Sequence, residues 1–451
     1  MGPVAFCMGL LLLLAAPIMR GGNRYIALIP LEWIGLAVLL ALWLHHARAG
    51  RLERATPNPL LMLLALSPLL LALLQLLPVP SDWWARLPGR AVYGEALQTL
   101  GASDRAWRPV SVNPAATAAS LLAGIPLAAA LLMGVLASYS QLRAIAKVVV
   151  AMAMAQVVLG LIQLAGGEGL LMLGSSSSTP VGTFNNRNHF ANYIAMAMFA
   201  YLWLASEASS SRGRAGAPND RHRSLLLAAG GLSLLLGLLM SRSRGAQLSA
   251  LPLALVGLWL AWPRATHAAP TWRALLAVAL GLLFVAAGAI GFDTVAVRFA
   301  PDDVVAAAGY RGKLALTSLD AALAFWPWGS GWGTYDQIYP RFQPADIVGM
   351  AHHAHMDYVE MLLEGGVFFI FLAVAFAWLA VRRALFLAAV AKRHRTLDRE
   401  SMACALCGLG LLALLLHSLV EFNMRIPANA ILGALLAGAY LRPLSAARAN
   451  A

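Results

Sequence analysis

Charged residues are scarce in this chain: Asp, Glu, Lys and Arg make up 12% of its 451 residues, against roughly a quarter in an ordinary soluble domain. With 60% hydrophobic residues and a mean hydropathy of +0.71, that scarcity excludes a soluble globular protein and leaves a polytopic membrane protein. Cysteine is nearly absent. Cys7, Cys404 and Cys407 all lie in apolar stretches, which excludes a disulfide framework. Cys404 and Cys407 form a lone CxxC with no further Cys or His at zinc spacing, so they read as small apolar helix residues. Acidic residues are few as well, 20 against 33 Lys and Arg, for a formal net charge of +13. The excess is not gathered on one domain, as a nucleic-acid partner would require. It falls in short clusters between apolar runs, which is the pattern of orientation in a bilayer. No basic segment precedes the apolar run Pro3 to Met19, so that run reads as a retained first span rather than a signal peptide.

Spanning helices need about 20 mostly apolar residues, and that measure gives about 12 of them, near 3–19, 25–45, 60–77, 117–138, 145–165, 188–205, 224–241, 246–262, 273–292, 358–381, 402–419 and 427–442. The fold class is therefore an all-α polytopic integral membrane protein, with residues 1–451 forming a single membrane domain. Placing the N-terminus in the cytoplasm puts Arg48, Arg51, Arg54, Arg143, Lys147, Arg382, Arg383, Lys392 and Arg393 in short connections on the inner side, as the positive-inside bias requires. Two external segments are long. Residues 78–116 carry Trp83, Trp84 and Trp107 among prolines and read as an aromatic-rich loop at the interface. Residues 293–357, between spans 9 and 10, contain a helix-compatible stretch and then Trp326, Trp328 and Trp332 among Gly and Pro; a loop of this length is usually functional. Residues 206–223 read as a cytoplasmic linker. There is no internal repeat with corresponding broken helices, which counts against a secondary transporter.

Four polar clusters then fall on the external side. Gly182 to Tyr193 contains Asn185, Arg187, Asn188 and His189 just ahead of a helix, where side-chain donors and free backbone N–H groups suit an anion; an N-cap alone needs one Asn. Ser241 to Leu248 places Arg242 and Arg244 in a tight turn against the charge bias, and guanidinium groups bind phosphate oxygens bidentately. His352 to Gly366 packs His352, His353 and His355 against Asp357, Glu360 and Glu364. An imidazole there can take a proton from a hydroxyl, with a carboxylate orienting it or binding an acceptor. A metal site is the competing chemistry, but His352 and His353 are adjacent and poorly placed to converge with His355 on one ion, so no metal is expected. In the fourth cluster, His417, Glu421 and Arg425 share a helical face if the helix persists. Pairing among themselves and lining of a site are both open.

These residues carry a resemblance. The chain is similar to the O-antigen ligase/polymerase family of bacterial envelope glycosyltransferases through Gly182–Tyr193, the Arg-x-x-x-Leu pattern at Arg244 to Leu248, the Gly329-Ser330-Gly331-Trp332-Gly333 turn, and His355 followed by Gly366 eleven residues on. The similarity in order and topology spans roughly residues 75 to 440. It implies a multi-pass protein of the bacterial inner membrane with its active site facing the periplasm, and a long periplasmic loop closing over donor and acceptor. The implied reaction is an inverting, metal-independent glycan transfer without cofactor. Its donor is a glycan linked to undecaprenyl diphosphate, its acceptor a glycan or lipid A-core, and the bilayer is the remaining partner. By the same resemblance His355 activates the acceptor hydroxyl, and Arg244 with Arg187 binds the diphosphate beside Arg242. Ligase and repeat-unit polymerase share donor, leaving group and base, and the sequence does not choose between them.

Overall fold

The computed structural model describes residues 1–48, 59–102, 105–166, 179–210, 219–265, 301–394 and 396–444. Those residues are mostly helical. Among the described residues, seven helices are long and apolar enough to cross a membrane: Ile26–Arg48, Pro59–Leu76, Pro114–Leu136, Tyr139–Leu164, Arg244–Ala261, Asp357–His394 and Arg399–His417. Three shorter apolar helices, Pro3–Ala15, Leu225–Met240 and Pro427–Leu441, lie where further spans are expected. The span expected at 273–292 lies outside the described residues, as do 211–218 of the expected linker and 293–300 of the long loop. The chain is a mostly helical, polytopic membrane protein.

Local chemistry sets several helix starts. Asn113 caps the helix Pro114–Leu136 by accepting from the Ala116 N–H at 3.2 Å, with Pro at the first helical position, where no N–H is needed. Ser138 and Gln141 form a reciprocal capping box for Tyr139–Leu164. Asp398 caps Arg399–His417 through the Ser401 N–H at 2.9 Å.

The helix Arg187–Ser210 lies at the centre. Phe190, Tyr193, Phe199 and Trp203 are buried along it, and Ala191, Ala195, Ala197 and Ala200 are buried between them. Small residues let neighbouring helices approach closely in a bilayer, and this helix packs against Tyr139–Leu164, Arg244–Ala265 and Arg399–His417. The long helix Asp357–His394 does the opposite. Phe371, Val374, Trp378, Val381 and Leu385 are exposed at alternating steps of three and four, one apolar stripe of the kind that faces lipid.

In the two long segments between apolar helices, Pro78–Pro80 pairs antiparallel with Trp107–Pro109, Val79 opposite Arg108, and the helix Pro301–Ala324 packs on Asp357–His394. The Gly329–Gly333 turn is locked to the start of that long helix. Ser330 N donates to Leu363 O at 2.9 Å, and Gly331 N to Glu364 O at 3.2 Å. Gly366 interrupts the helix at φ 55°, ψ −138°, a region that only glycine adopts without strain. A Cβ at Gly366 would stand 2.1 Å from Pro327 O, and one at Gly329 would stand 2.3 Å from Glu364 O. Both glycines let two backbones touch, and that contact fixes the Pro327–Gly331 stretch to the helix Asp357–His394.

Candidate active site

The site forms where the helix Arg399–His417 ends. The chain turns at Ser418 and runs through a buried Glu421 and Phe422 to the single 3₁₀ turn Asn423–Arg425 before re-entering helix at Pro427. The helix does not persist past His417, so His417, Glu421 and Arg425 do not share a helical face, and the direct hydrogen bonds and ion pairs of each go elsewhere. His417 Nδ1 lies 3.2 Å from Asn192 Oδ1 on the central helix.

Opposite this turn, His355 sits two residues before the helix start at Asp357 with a left-handed backbone, φ 50°, a conformation rare outside glycine and costing about 1–3 kcal/mol. Its surroundings over-determine it. Asp357 N donates to Ser418 O at 3.1 Å, and Ala354 N to Glu360 Oε2 at 3.0 Å. The result places His355 Nδ1 2.8 Å from Glu421 Oε1. The Glu421 side chain is 0% exposed and that of His355 is 30% exposed, so the carboxylate is sealed behind an imidazole that still reaches solvent.

The second oxygen of Glu421 receives Asn188 Nδ2 and, at 3.2 Å, the guanidinium of Arg311, which also donates to Val420 O at 3.0 Å. Burial pushes the Glu421 carboxyl up, but the His355 hydrogen bond and the electrostatic pull of the facing imidazoles and the Arg311 guanidinium outweigh burial and hold it at about 2. A carboxylate only accepts. The proton between the two groups therefore sits on His355 Nδ1, and in the neutral ring the lone pair is on Nε2. That is the arrangement of a general base with its orienting acid.

A second charged chain runs beside the first. His353 Nδ1 lies 3.0 Å from Glu360 Oε1, Arg425 Nε lies 3.0 Å from the same oxygen, and Arg425 also pairs with Glu364. The Arg425 guanidinium stands 5.1 Å over the Trp332 ring. The two glutamates buried beside Arg425 raise its affinity for the proton against burial. Tyr335 N donates to Glu364 Oε1 at 3.1 Å. Gln75 joins the Glu364 carbonyl at 2.7 Å to the Trp332 N–H at 2.7 Å. Asp357 Oδ2 accepts from Met424 N at 2.9 Å. Phe422 stands between the chains with the rings of His189, His353 and His355 at 4.6, 4.1 and 4.9 Å from its own.

Of the residues singled out in the sequence, the structure thus brings together Asn188, His355 and Glu421 in one contact set, and His353, Glu360, Glu364 and Arg425 in another. His189 joins through Asn423 Oδ1 at 3.1 Å. Arg187 adjoins Asn188 at the start of the central helix. Arg244 opens the helix Arg244–Ala265, where the next residue, Gly245, lies so close to His417 that a Cβ there would be 2.7 Å from the imidazole. Arg242 takes a left-handed backbone, φ 54°, and Asn185 is exposed. Sequence reasoning misses Arg311. It lies in the long loop with no polar neighbour at helical spacing to signal it, and its partner is 110 residues away. Among the described residues no three of His, Cys, Asp and Glu are placed to hold a metal ion; His353 and His355 turn Nδ1 to different carboxylates.

No curated protein matches the chain. Residues 229–374 match the family model described as O-antigen ligase. The match takes in Arg242, Arg244, Arg311, the Gly329–Gly333 turn, His353, His355, Glu360, Glu364 and Gly366, and leaves Asn188, Glu421 and Arg425 outside. Residues 229–374, about a third of the chain, are thus similar to the O-antigen ligase family, and this stretch holds the histidine of both carboxylate pairs.

Proposed function

We propose that this protein transfers a glycan from undecaprenyl diphosphate to an acceptor hydroxyl at the periplasmic face of the bacterial inner membrane, in the manner of an O-antigen ligase. The observation that carries the reading is the 2.8 Å contact between His355 Nδ1 and the buried Glu421, which leaves Nε2 as the base on a part-exposed ring, with the Arg311 guanidinium on the same carboxylate. The acceptor oxygen attacks the anomeric carbon and its proton passes to His355 Nε2. The bond from that carbon to the diphosphate oxygen breaks, and its electron pair leaves with the diphosphate. The leaving group gathers negative charge, which fixed guanidinium groups stabilise without reorganisation.

Arg311 joins Arg187 and Arg244 in that role. Its side chain is 39% exposed, and a guanidinium has five N–H donors, so holding Glu421 and the Val420 carbonyl leaves an edge for phosphate. Arg242, on the Ser241 to Leu248 turn with Arg244, is the remaining candidate. A prenyl carrier reaches such a site laterally from the bilayer, and the water-soluble glycan sits under the external loop. Acceptor identity separates a ligase from a repeat-unit polymerase, and both use the same base and leaving group.

The test is transfer by the full chain in proteoliposomes supplied with an undecaprenyl-diphosphate-linked oligosaccharide and a candidate acceptor. Product and free undecaprenyl diphosphate are expected in equal amounts. Arg311→Ala is expected to reduce kcat/KM by about 10²–10³-fold, the scale of losing one preorganised group at a developing charge. Undiminished kcat/KM in Arg311→Ala would remove it from the site.

A further inference from the structure

Two histidines, two residues apart, make the same contact with different charge around it. His353 directs Nδ1 at Glu360 and His355 directs Nδ1 at Glu421, at 3.0 and 2.8 Å. Both rings rest on Phe422, His353 stacked with an interplanar angle of 17° and His355 edge-on at 78°. The His353 side chain is 28% exposed while Glu360 is 2% exposed, so the ring keeps an open edge away from its sealed carboxylate.

The charges around the two imidazoles differ. Glu421 already faces the guanidinium of Arg311 as well as His355. Around His353 the balance is reversed. Glu360 and Glu364 bury two carboxylates against the single guanidinium of Arg425, and the Asp357 carboxyl lies beside them in the first turn of the same helix. A buried carboxylate left without a partner is strongly destabilising, and a proton on His353 supplies the missing positive charge. The other groups facing His353 across Phe422 are the imidazoles of His189 and His355. Burial lowers the proton affinity of His353 and Arg425 opposes it, but the attraction and hydrogen bond of Glu360, with help from Asp357, more than compensate, and the ring titrates above the ordinary histidine value.

We infer that His353 is a second functional histidine of this site, an imidazolium whose Nε2–H donates to the departing diphosphate while neutral His355 takes the acceptor proton. The inference rests on the glycan-transfer reading. The electron pair of the broken bond stays on the diphosphate oxygen, which accepts the hydrogen bond, and His353 keeps its proton. A donor to the leaving group beside an acceptor for the incoming proton lets one site assist both ends of the transfer. The sign follows from the raised value. The His353 contribution is complete below about pH 6.5, the ordinary histidine value, and is lost as pH rises through its own higher value.

Binding of farnesyl diphosphate, a short prenyl diphosphate, to the full chain in nanodiscs from about pH 6 to about pH 9 tests this. Comparison with His353→Gln at each pH cancels the titration of the probe itself. The wild type is expected to bind about tenfold more tightly than His353→Gln at low pH, the scale of one charge-assisted hydrogen bond, and to converge with it at high pH. His353→Lys, which carries its charge throughout, is expected to keep the tighter binding at both ends. Equal affinity of wild type and His353→Gln, or a ratio that does not change with pH, would overturn the assignment and leave the diphosphate site intact. A wild-type protein that does not bind the probe at any pH would overturn the diphosphate reading and the His353 assignment with it.

Discussion

His355→Gln is expected to lower the rate of glycan transfer by about 10²–10⁴-fold, the range that a positioned acid–base group contributes, with the protein still present in the membrane at the wild-type level. The side chain is 30% exposed and makes one hydrogen bond through Nδ1, so its loss removes chemistry rather than packing. Glutamine keeps a donor for Glu421, which stays satisfied by Asn188 and Arg311. Glu421→Gln is expected to fall between the variant and the wild type. An amide still accepts from Nδ1–H, but it lacks the charge that steadies the imidazolium formed as the proton arrives. Initial rates in proteoliposomes measure both. Wild-type transfer by His355→Gln would place the base elsewhere.

Arg425→Met is expected to destabilise the fold by about 3–5 kcal/mol, the cost of leaving a buried charge without its partner. Arg425 is 13% exposed and holds Glu360 and Glu364 together, while its guanidinium covers Trp332. Methionine fills much of the volume, so the loss reports charge more than space. Adding Glu364→Gln to Arg425→Met removes one of the stranded carboxylates and is expected to recover a large part of the loss. Midpoints of thermal unfolding in detergent read both variants. An unchanged midpoint for Arg425→Met would show that the two glutamates are balanced by something other than this guanidinium.

The membrane architecture is legible from composition because a bilayer demands long apolar helices and little else satisfies the backbone there. Asn188, His355, Glu360, Glu364, Glu421 and Arg425 are legible as polar groups at the ends of such helices. Their partners are not. Glu421 and Arg425 look like an i, i+4 pair, yet the helix stops at His417, and each side chain instead reaches back across more than sixty residues, Glu421 to His355 and Arg425 to Glu364. His353 looks secondary beside His352 as long as metal convergence is the question. Its relation to Glu360, seven residues on, depends on how the chain turns into the helix at Asp357. Arg311 carries no local signal at all, because a lone arginine on a loop helix is ordinary until a buried carboxylate is found above it. The Gly329–Gly333 turn and Gly366 are visible as motifs. That they touch each other through Pro327, Glu364 and Gly329 backbone atoms is a property of the fold alone.

The central claim is a single displacement at the anomeric carbon, with His355 as base and the prenyl diphosphate as leaving group. The anomeric configuration of the new glycosidic bond tests it most directly, read by NMR on product made by the reconstituted protein from a donor of known configuration. Inversion relative to the donor is the predicted result. Retention would require a second displacement through a group on the protein and would contradict the account.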